Sequence, residues 1–227
     1  QAELGVTTQP YVLIVGGGQG GIALGARLRQ HGVPALIVEK NARPGDSWRK
    51  RYKSLCLHDP VWYDHLPYIK FPRNWPVFAP KDKIGDWLEM YARVMELNYW
   101  GSTEARRASY DEASGTWTVE VERDGKRVRI IARKGVVLAS GGFEWNQQMM
   151  AEYFPGVVRW QGSPSTNTGD GHQMATGVGA MLDHMDQSLI VGTSPYWYEG
   201  RLQGRPAADF LMPHSMIVNK SAQRFVN

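Results

Sequence analysis

The run Tyr11 to Val15, YVLIV, is continuous and apolar and stops abruptly at GGGQGG, Gly16 to Gly21. An apolar run of that length bounded by glycines reads as a strand buried on both faces of a parallel sheet. Ile22, Leu24, Ala26 and Leu28 follow on a helix that ends at Gly32, and ALIV, Ala35 to Val38, reads as a second buried strand. Strand, glycine turn, helix and strand within about 30 residues make a βαβ unit, whose crossover is expected to be right-handed.

Gly16, Gly18 and Gly21 hold the G-x-G-x-x-G spacing between that strand and that helix. The first glycine permits a tight turn, the second lets a diphosphate approach the backbone, and the third brings helix and strand together. Gly20 lies inside the same turn, and Gly25 lets the helix press on the sheet. The helix start adds unsatisfied N–H groups and the positive end of its dipole, a ready anion site. Glu39 lies 18 residues after Gly21, at the tip of the second strand. There a carboxylate accepts hydrogen bonds from an adenosine ribose and disfavours a 2′-phosphate. Lys40, beside it, joins the expected cofactor-binding set.

The alternative is a glycine turn that binds nothing; the pattern instead predicts a dinucleotide site. NAD and FAD share this turn. The fingerprint opens the chain, and the aromatic stretch after Glu39 is far longer than a simple NAD unit needs. Both lean toward FAD, whose ring needs walls that hold it and exclude water.

Composition narrows the class further. The chain has 227 residues, 42% hydrophobic and 21% charged, with a net charge of +4, and is expected to be an ordinary globular protein rather than a disordered or disulfide-stapled one. The mild positive charge is scattered, except for Arg43, Arg49, Lys50, Arg51 and Lys53. That cluster reads either as a solvated loop or as a wall that attracts an anionic ligand. No helix or sheet presents an organised basic and aromatic face, so nucleic acid is not an expected partner. The single cysteine, Cys56, excludes an intrachain disulfide and points to a reducing, cytoplasmic setting; it reads first as a small buried residue. No membrane span or leader is visible, and the absence of an initial Met and of a terminating signal leads to the expectation of truncation.

From Asn41 to Lys81 the chain is rich in Pro and aromatics and reads as an ordered loop region. Lys81 to Leu97 has Ile84, Trp87, Leu88, Tyr91 and Met95 at helical spacing, a stripe expected to be core. TEARRASYD, WTVEVE and KRVRII, with Asp124 and Gly125 between the last two, predict a small antiparallel meander. GVVLASGG, Gly135 to Gly142, reads as another buried strand returning to the first sheet. A helix is expected near Gln147 to Tyr153, and a glycine-rich one from Asp170 to Met181.

Several linked motifs now extend the pattern: GGGQGG, VEKNARPGDSWRKRYKSLCLHDP, LPY, WPVFAPKDKIGDWLEMYA and NYWGSTEA. Through them the chain from about Pro10 to Ala139 resembles the flavin-containing monooxygenases. That resemblance implies that Ser47 and Trp48 lie beside the flavin, with His58 and Asp59 as polar flavin contacts and the backbone around Ala105 at the adenine. Trp48 also has a core reading, and His58 that of a hydrogen-bonded packing residue. After Ala139 the motifs LASGGFEWNQQMMAEYFPG, SPSTNTGDGHQMATGVGAMLDHMD and IVNKSAQRFVN resemble the fumarate reductase and 3-ketosteroid dehydrogenase flavoproteins. This second resemblance makes Gly141, Gly142, Thr168, Gly169, Asp170 and Gly171 candidate FAD contacts. The alternative for the TGDG turn is a helix start capped by Thr168 or Asp170.

The expected fold class is α/β, a Rossmann-like FAD-binding domain with a parallel sheet, an inserted antiparallel meander and an incomplete second region. The expected division is a lead-in at 1–9, the FAD-binding domain at 10–142 and a partial FAD and substrate-side region at 143–227.

The monooxygenase signature F-x-G-x-x-x-H falls on Trp160, Gly162 and Thr166 without its aromatic match or its His. A second nucleotide turn begins at Gly177 and Gly179 but meets Leu182 where a glycine belongs. NADPH is therefore expected only if a domain outside this chain supplies its site. The resemblances imply an FAD-dependent oxidoreductase acting on a small molecule. Monooxygenase, dehydrogenase or reductase, and non-catalytic flavin-binding fragment remain its alternatives. No catalytic residue is assigned and no metal site is expected; Tyr196, Tyr198, His172, His214 and Arg205 are candidates for moving a proton, each with a structural alternative.

Overall fold

The computed structural model describes residues 4–154, 156, 158–188, 192–198, 200–206 and 216–224. The chain opens with β1 (Val12–Val15), α1 (Gln19–Gln30) and β2 (Ala35–Val38), followed by α2 (Asp46–Arg49) and α3 (Lys81–Val94). Next come β3 (Tyr99–Trp100), β4 (Thr103–Asp111), β5 (Thr116–Arg123), β6 (Lys126–Ala132) and β7 (Gly135–Leu138). α4 (Gln147–Tyr153), α5 (Asp170–Thr176), β8 (Thr193–Tyr198) and β9 (Arg201–Pro206) complete the order.

A parallel sheet in the order β3-β2-β1-β7 carries the expected βαβ unit at its centre. The turn after β1 depends on Gly16, which has φ +112° and whose added Cβ would lie 2.2 Å from the Ala139 carbonyl oxygen. At Gly21 the same addition would meet the Gly16 carbonyl at 2.0 Å, so the helix start and the strand end touch backbone to backbone.

Leu13, Val15, Leu36 and Val38 turn one sheet face toward the antiparallel meander β4-β5-β6, where Val119, Val121, Ile130 and Ala132 are buried against them. Asp124 and Gly125, at φ 52° and 71°, make the hairpin turn between β5 and β6. The second core cluster joins Ile22 and Ala26 of α1 to Ile84, Trp87, Leu88 and Tyr91 of α3. Phe71 stacks on Trp75 with centroids 4.8 Å apart and meets Trp87 edge-on at 4.6 Å. The Tyr91 hydroxyl donates to the Pro67 carbonyl at 2.7 Å. The aromatic stretch before α3 is therefore an ordered layer with the stripe of α3 as its floor.

Four expectations are corrected. β7 spans only Gly135 to Leu138 and, among the described residues, is an edge strand with no strand paired on its outer side; Val137 and Leu138 are 38% and 36% exposed. α3 ends at Val94, where Glu96 takes φ 48° and breaks the helical path. α5 ends at Thr176, ahead of Gly177 and of Gly179, whose φ is +86°. Cys56 is exposed, on a loop tied to Pro80 by an isolated bridge. Among the described residues, no helix is long and apolar enough to cross a membrane.

Candidate functional site

At the carboxyl ends of β1 and β2 lies a cleft of ≈ 250 Å³, with Gly16, Gly18 and Gly20 on one wall and Glu39, Lys40 and Ala105 on another. Open parallel sheets bind ligands at this end of their strands. A separate hollow of ≈ 360 Å³ lies at the opposite end, around Pro34, Ala35 and Asn98, and holds none of the expected site residues except the packing glycine Gly25. α1 starts beside the cleft at Gly18, whose absent side chain caps nothing, and its first turn holds no acid. The positive end of its dipole is thus left without an acid from the helix's own first turn.

Glu39 sits at the bottom of this cleft, only 9% exposed. One carboxylate oxygen accepts the Gly17 N–H at 2.6 Å; the other accepts the Asn41 N–H at 2.8 Å and the Asn41 side-chain amide at 2.6 Å. These bonds lock the rotamer and tie the strand tip to the glycine turn, and a carboxylate has about four acceptor positions, so capacity for a sugar hydroxyl remains. The Tyr99 hydroxyl supports the turn from below, donating to the Gly17 carbonyl at 3.2 Å. Burial, with Glu39 and Asp46 nearby, pushes the Tyr99 pKa upward, so this phenol stays protonated.

The later part of the chain supplies the facing wall. Gly141, Thr166, Asn167 and Asp170 line the cleft, and the Lys40 ammonium reaches across it to the Thr166 carbonyl at 3.0 Å and to Asp170 at 3.1 Å. Partial burial raises the Asp170 pKa, but hydrogen bonds from Thr168 and Lys40 outweigh it and hold the carboxyl below its usual range. The helix cap proposed for the TGDG turn falls instead on Gly169, which has φ +81° and makes no side-chain cap.

Of the sequence-expected residues, Gly16, Gly18, Gly20, Glu39, Lys40, Ser47, Ala105, Gly141 and Asp170 come together in this cleft. Gly21, Gly169 and Gly171 do not line it: the first packs on Gly16, the second lies against Met149, and a Cβ on the third would meet the Ser140 hydroxyl at 2.2 Å. Trp48 is 7% exposed in the α1–α3 core, its indole N–H donating to Gln19 at 2.6 Å; it supports the wall without lining it. His58 and Asp59 also lie outside the cleft, with side chains 92% and 63% exposed.

Gly142 opens onto a neighbouring cavity of ≈ 410 Å³, lined by Phe143, Met150, Trp160 and His172. The His172 ring meets Phe143 edge-on at 5.3 Å, and its buried Nδ1 has no hydrogen-bond partner. Arg205 is exposed on β9, and Tyr196 is half-buried on β8. The Tyr198 side chain and His214 lie outside the described residues.

A family model described as an FAD binding domain matches residues 79–227, and one described as an NAD(P)-binding Rossmann-like domain matches residues 14–75. The chain belongs to the FAD binding domain family. It is 35% identical over 130 residues to a probable indole-3-pyruvate monooxygenase, YUCCA9, of Arabidopsis thaliana, covering 57% of this chain and 31% of that protein. It is 32% identical over 157 residues to indole-3-pyruvate monooxygenase YUCCA1 of Oryza sativa subsp. japonica, covering 69% of this chain and 37% of that one. The chain thus spans about a third of the length of these curated relatives.

Its fold is similar to a flavin-containing monooxygenase from Stenotrophomonas maltophilia, with a TM-score of 0.55, 24% identity and coverage of 67% and 42% of the two chains. It is also similar to 3-ketosteroid delta1-dehydrogenase from Sterolibacterium denitrificans, with a TM-score of 0.62, 17% identity and coverage of 86% and 59%. The fold is thus similar to that of both a flavin-containing monooxygenase and a 3-ketosteroid dehydrogenase.

The residues present fit the cofactor named by the family. Gly16 and Gly21 lack side chains because protein atoms fill the space, but at Gly18 a Cβ would meet nothing closer than Ser47 Oγ at 3.8 Å, and at Gly20 nothing within 4 Å. These two glycines keep open a space that no protein atom uses. The sequence reading missed Asn41 and Tyr99, which lock Glu39 and the turn, and passed over Thr166 and Asn167. Only the tyrosine had a sequence signal, an aromatic placed at the start of the third parallel strand.

Proposed function

We propose that this chain is the FAD-binding part of an FAD-dependent oxidoreductase that acts on a small molecule. The observation that carries the reading is the cleft at the uncapped start of α1, with a locked acid at the tip of β2 and two glycines facing open space. FAD, when bound, supplies electron and hydride transfer. In this reading Gly18, Gly20 and the first N–H groups of α1 receive the diphosphate, Glu39 accepts from the ribose hydroxyls, and the backbone at Ala105 borders the adenine. Residues 10–142 supply the nucleotide wall, while 143–227 close the cleft through Asp170 and Thr166 and line the adjoining cavity. His58 and Asp59 are left out of the cofactor set.

The neighbouring cavity supports a substrate-side role for the later segment, because Phe143, Trp160 and His172 line it and the buried His172 Nδ1 has no hydrogen-bond partner among the described residues. Purified chain is expected to bind FAD with a flavin absorption spectrum. Stopped-flow mixing then separates the reactions: rapid bleaching by NADPH supports monooxygenation, and electron exchange with a steroid or a dicarboxylate supports dehydrogenation or reduction. Bound FAD with neither response leaves a flavin-binding fragment. A chain that stays colourless and takes up no FAD rejects the reading.

A further inference from the structure

The basic cluster read from the sequence separates in three dimensions. Arg49 is engaged by Asp46 at 3.0 Å, Asp86 at 2.9 Å and Glu89 at 2.8 Å, and Arg43 by Asp46 at 3.2 Å. Lys50 donates to the Asn41 side chain at 2.6 Å, and Lys53 is exposed. Arg51 behaves differently. Its guanidinium lies over the Trp48 ring, 4.1 Å from the centroid, and it lines the cleft with Gly18, Ser47 and Gly141. Its Nε is buried without a hydrogen-bond partner, and among the described residues its guanidinium forms no ion pair.

A cation partly withdrawn from water without an ion-pair partner is costly unless something of opposite charge completes the site. The protein groups that act on Arg51 do not do so. Tyr52 is a protonated phenol whose pKa is raised by burial, and the Glu144 carboxylate, which accepts from the Asn167 side chain at 2.7 Å, acts on Arg51 through space without forming an ion pair with it. Arg205 adds positive charge to the same surroundings. Burial lowers the Arg51 pKa, but a guanidinium stays charged at neutral pH.

Its position selects the missing anion. The indole beneath Arg51 is hydrogen-bonded to Gln19, the first residue of α1, so the guanidinium is fixed next to the same open helix start. We propose that Arg51 is the counter-cation of the cofactor's diphosphate, offering a planar fork of N–H donors beside the glycine turn. This inference rests on the FAD reading above. Trp48 is then the positioning residue that holds the fork flat and aimed.

The test uses full-length apoprotein, wild type and Arg51→Met, titrated separately with FAD and with ADP, which carries the diphosphate but no isoalloxazine. Methionine keeps an unbranched stem over Trp48 and removes the unpaired charge. The variant is expected to weaken FAD and ADP binding alike, by about tenfold or more. Apo R51M is expected to melt at or above the wild-type temperature, because no counter-ion is orphaned. Binding of both ligands at wild-type strength overturns the proposal, as does a loss confined to FAD, which would place the cation at the ring. An R51M apoprotein that is less stable than wild type, or that fails to fold, also overturns it, since Arg51 would then be structural. Wild-type protein that binds neither ligand instead rejects the FAD reading itself.

Discussion

Gly16 and Gly18 stand two residues apart and lack side chains for different reasons. At Gly16 a methyl group collides with the Ala139 backbone and the φ of +112° is unfavourable to any L residue. Gly16→Ala is therefore expected to cost about 3 kcal/mol or more, read as a lowered melting temperature of the apoprotein. At Gly18, with φ −71° and open space ahead, Gly18→Ala should cost no more than about 1 kcal/mol in the apoprotein. Its effect is expected in FAD titration, as a loss of about tenfold or more, because the methyl group occupies the ligand's space. The opposite pattern, a destabilised G18A that binds FAD normally, would mean that the turn is purely structural. The turn that these glycines make was legible in the sequence because glycine spacing reports backbone geometry. His58 and Trp48 were not so legible: a motif fixes how far along the chain a residue stands, whereas the loop path decides whether it reaches the cleft.

Elements are held to the cleft by charge as well as by packing. α2 is anchored to α3 through Arg49, which is 12% exposed and bridges Asp46, Asp86 and Glu89. Arg49→Met leaves Asp86 without its cation and Asp46 and Glu89 to the more exposed Arg43, and chemical denaturation is expected to report a loss of about 2 kcal/mol, moderated because water reaches Asp86. Across the cleft, the Lys40–Asp170 contact fastens α5 to the end of β2. The Asp170 pKa is depressed in the folded protein, so its stabilising contribution is present above the ordinary carboxylate pKa of about 4 and is lost as pH falls through the lowered value. Thermal melts should therefore place Asp170→Asn slightly below wild type at pH 7, with the gap closing under acid; a constant gap would mean that the aspartate acts through something other than its charge. Helical periodicity revealed α3 and its buried stripe, since burial on one face leaves a repeat in the residue order. The Arg49 network left no such trace, because charged partners far apart in sequence look like solvated side chains.

At the scale of the whole molecule, among the described residues, the parallel sheet ends at β3 on one side and at β7 on the other. β7 presents Val137 and Leu138 on an unpaired edge, and an apolar edge of this kind invites pairing with another strand. Val137→Lys is expected to change stability by no more than about 0.5 kcal/mol while reducing concentration-dependent association in light scattering. Equal association of both proteins would show that the edge is already protected. The sequence carried the strand's apolar character but not its place in the sheet, because an apolar run reads alike at the centre and at the rim. A different consequence follows from the reach of Lys40 to Thr166 and Asp170, 126 and 130 residues later in the chain. During synthesis, the glycine turn and Glu39 emerge well before the wall that faces them. At about 5–20 residues per second, the stretch between β7 and α5 takes a few seconds to appear. Until then a nascent chain has half a cleft, and a nucleotide meeting it finds no opposite side to close against.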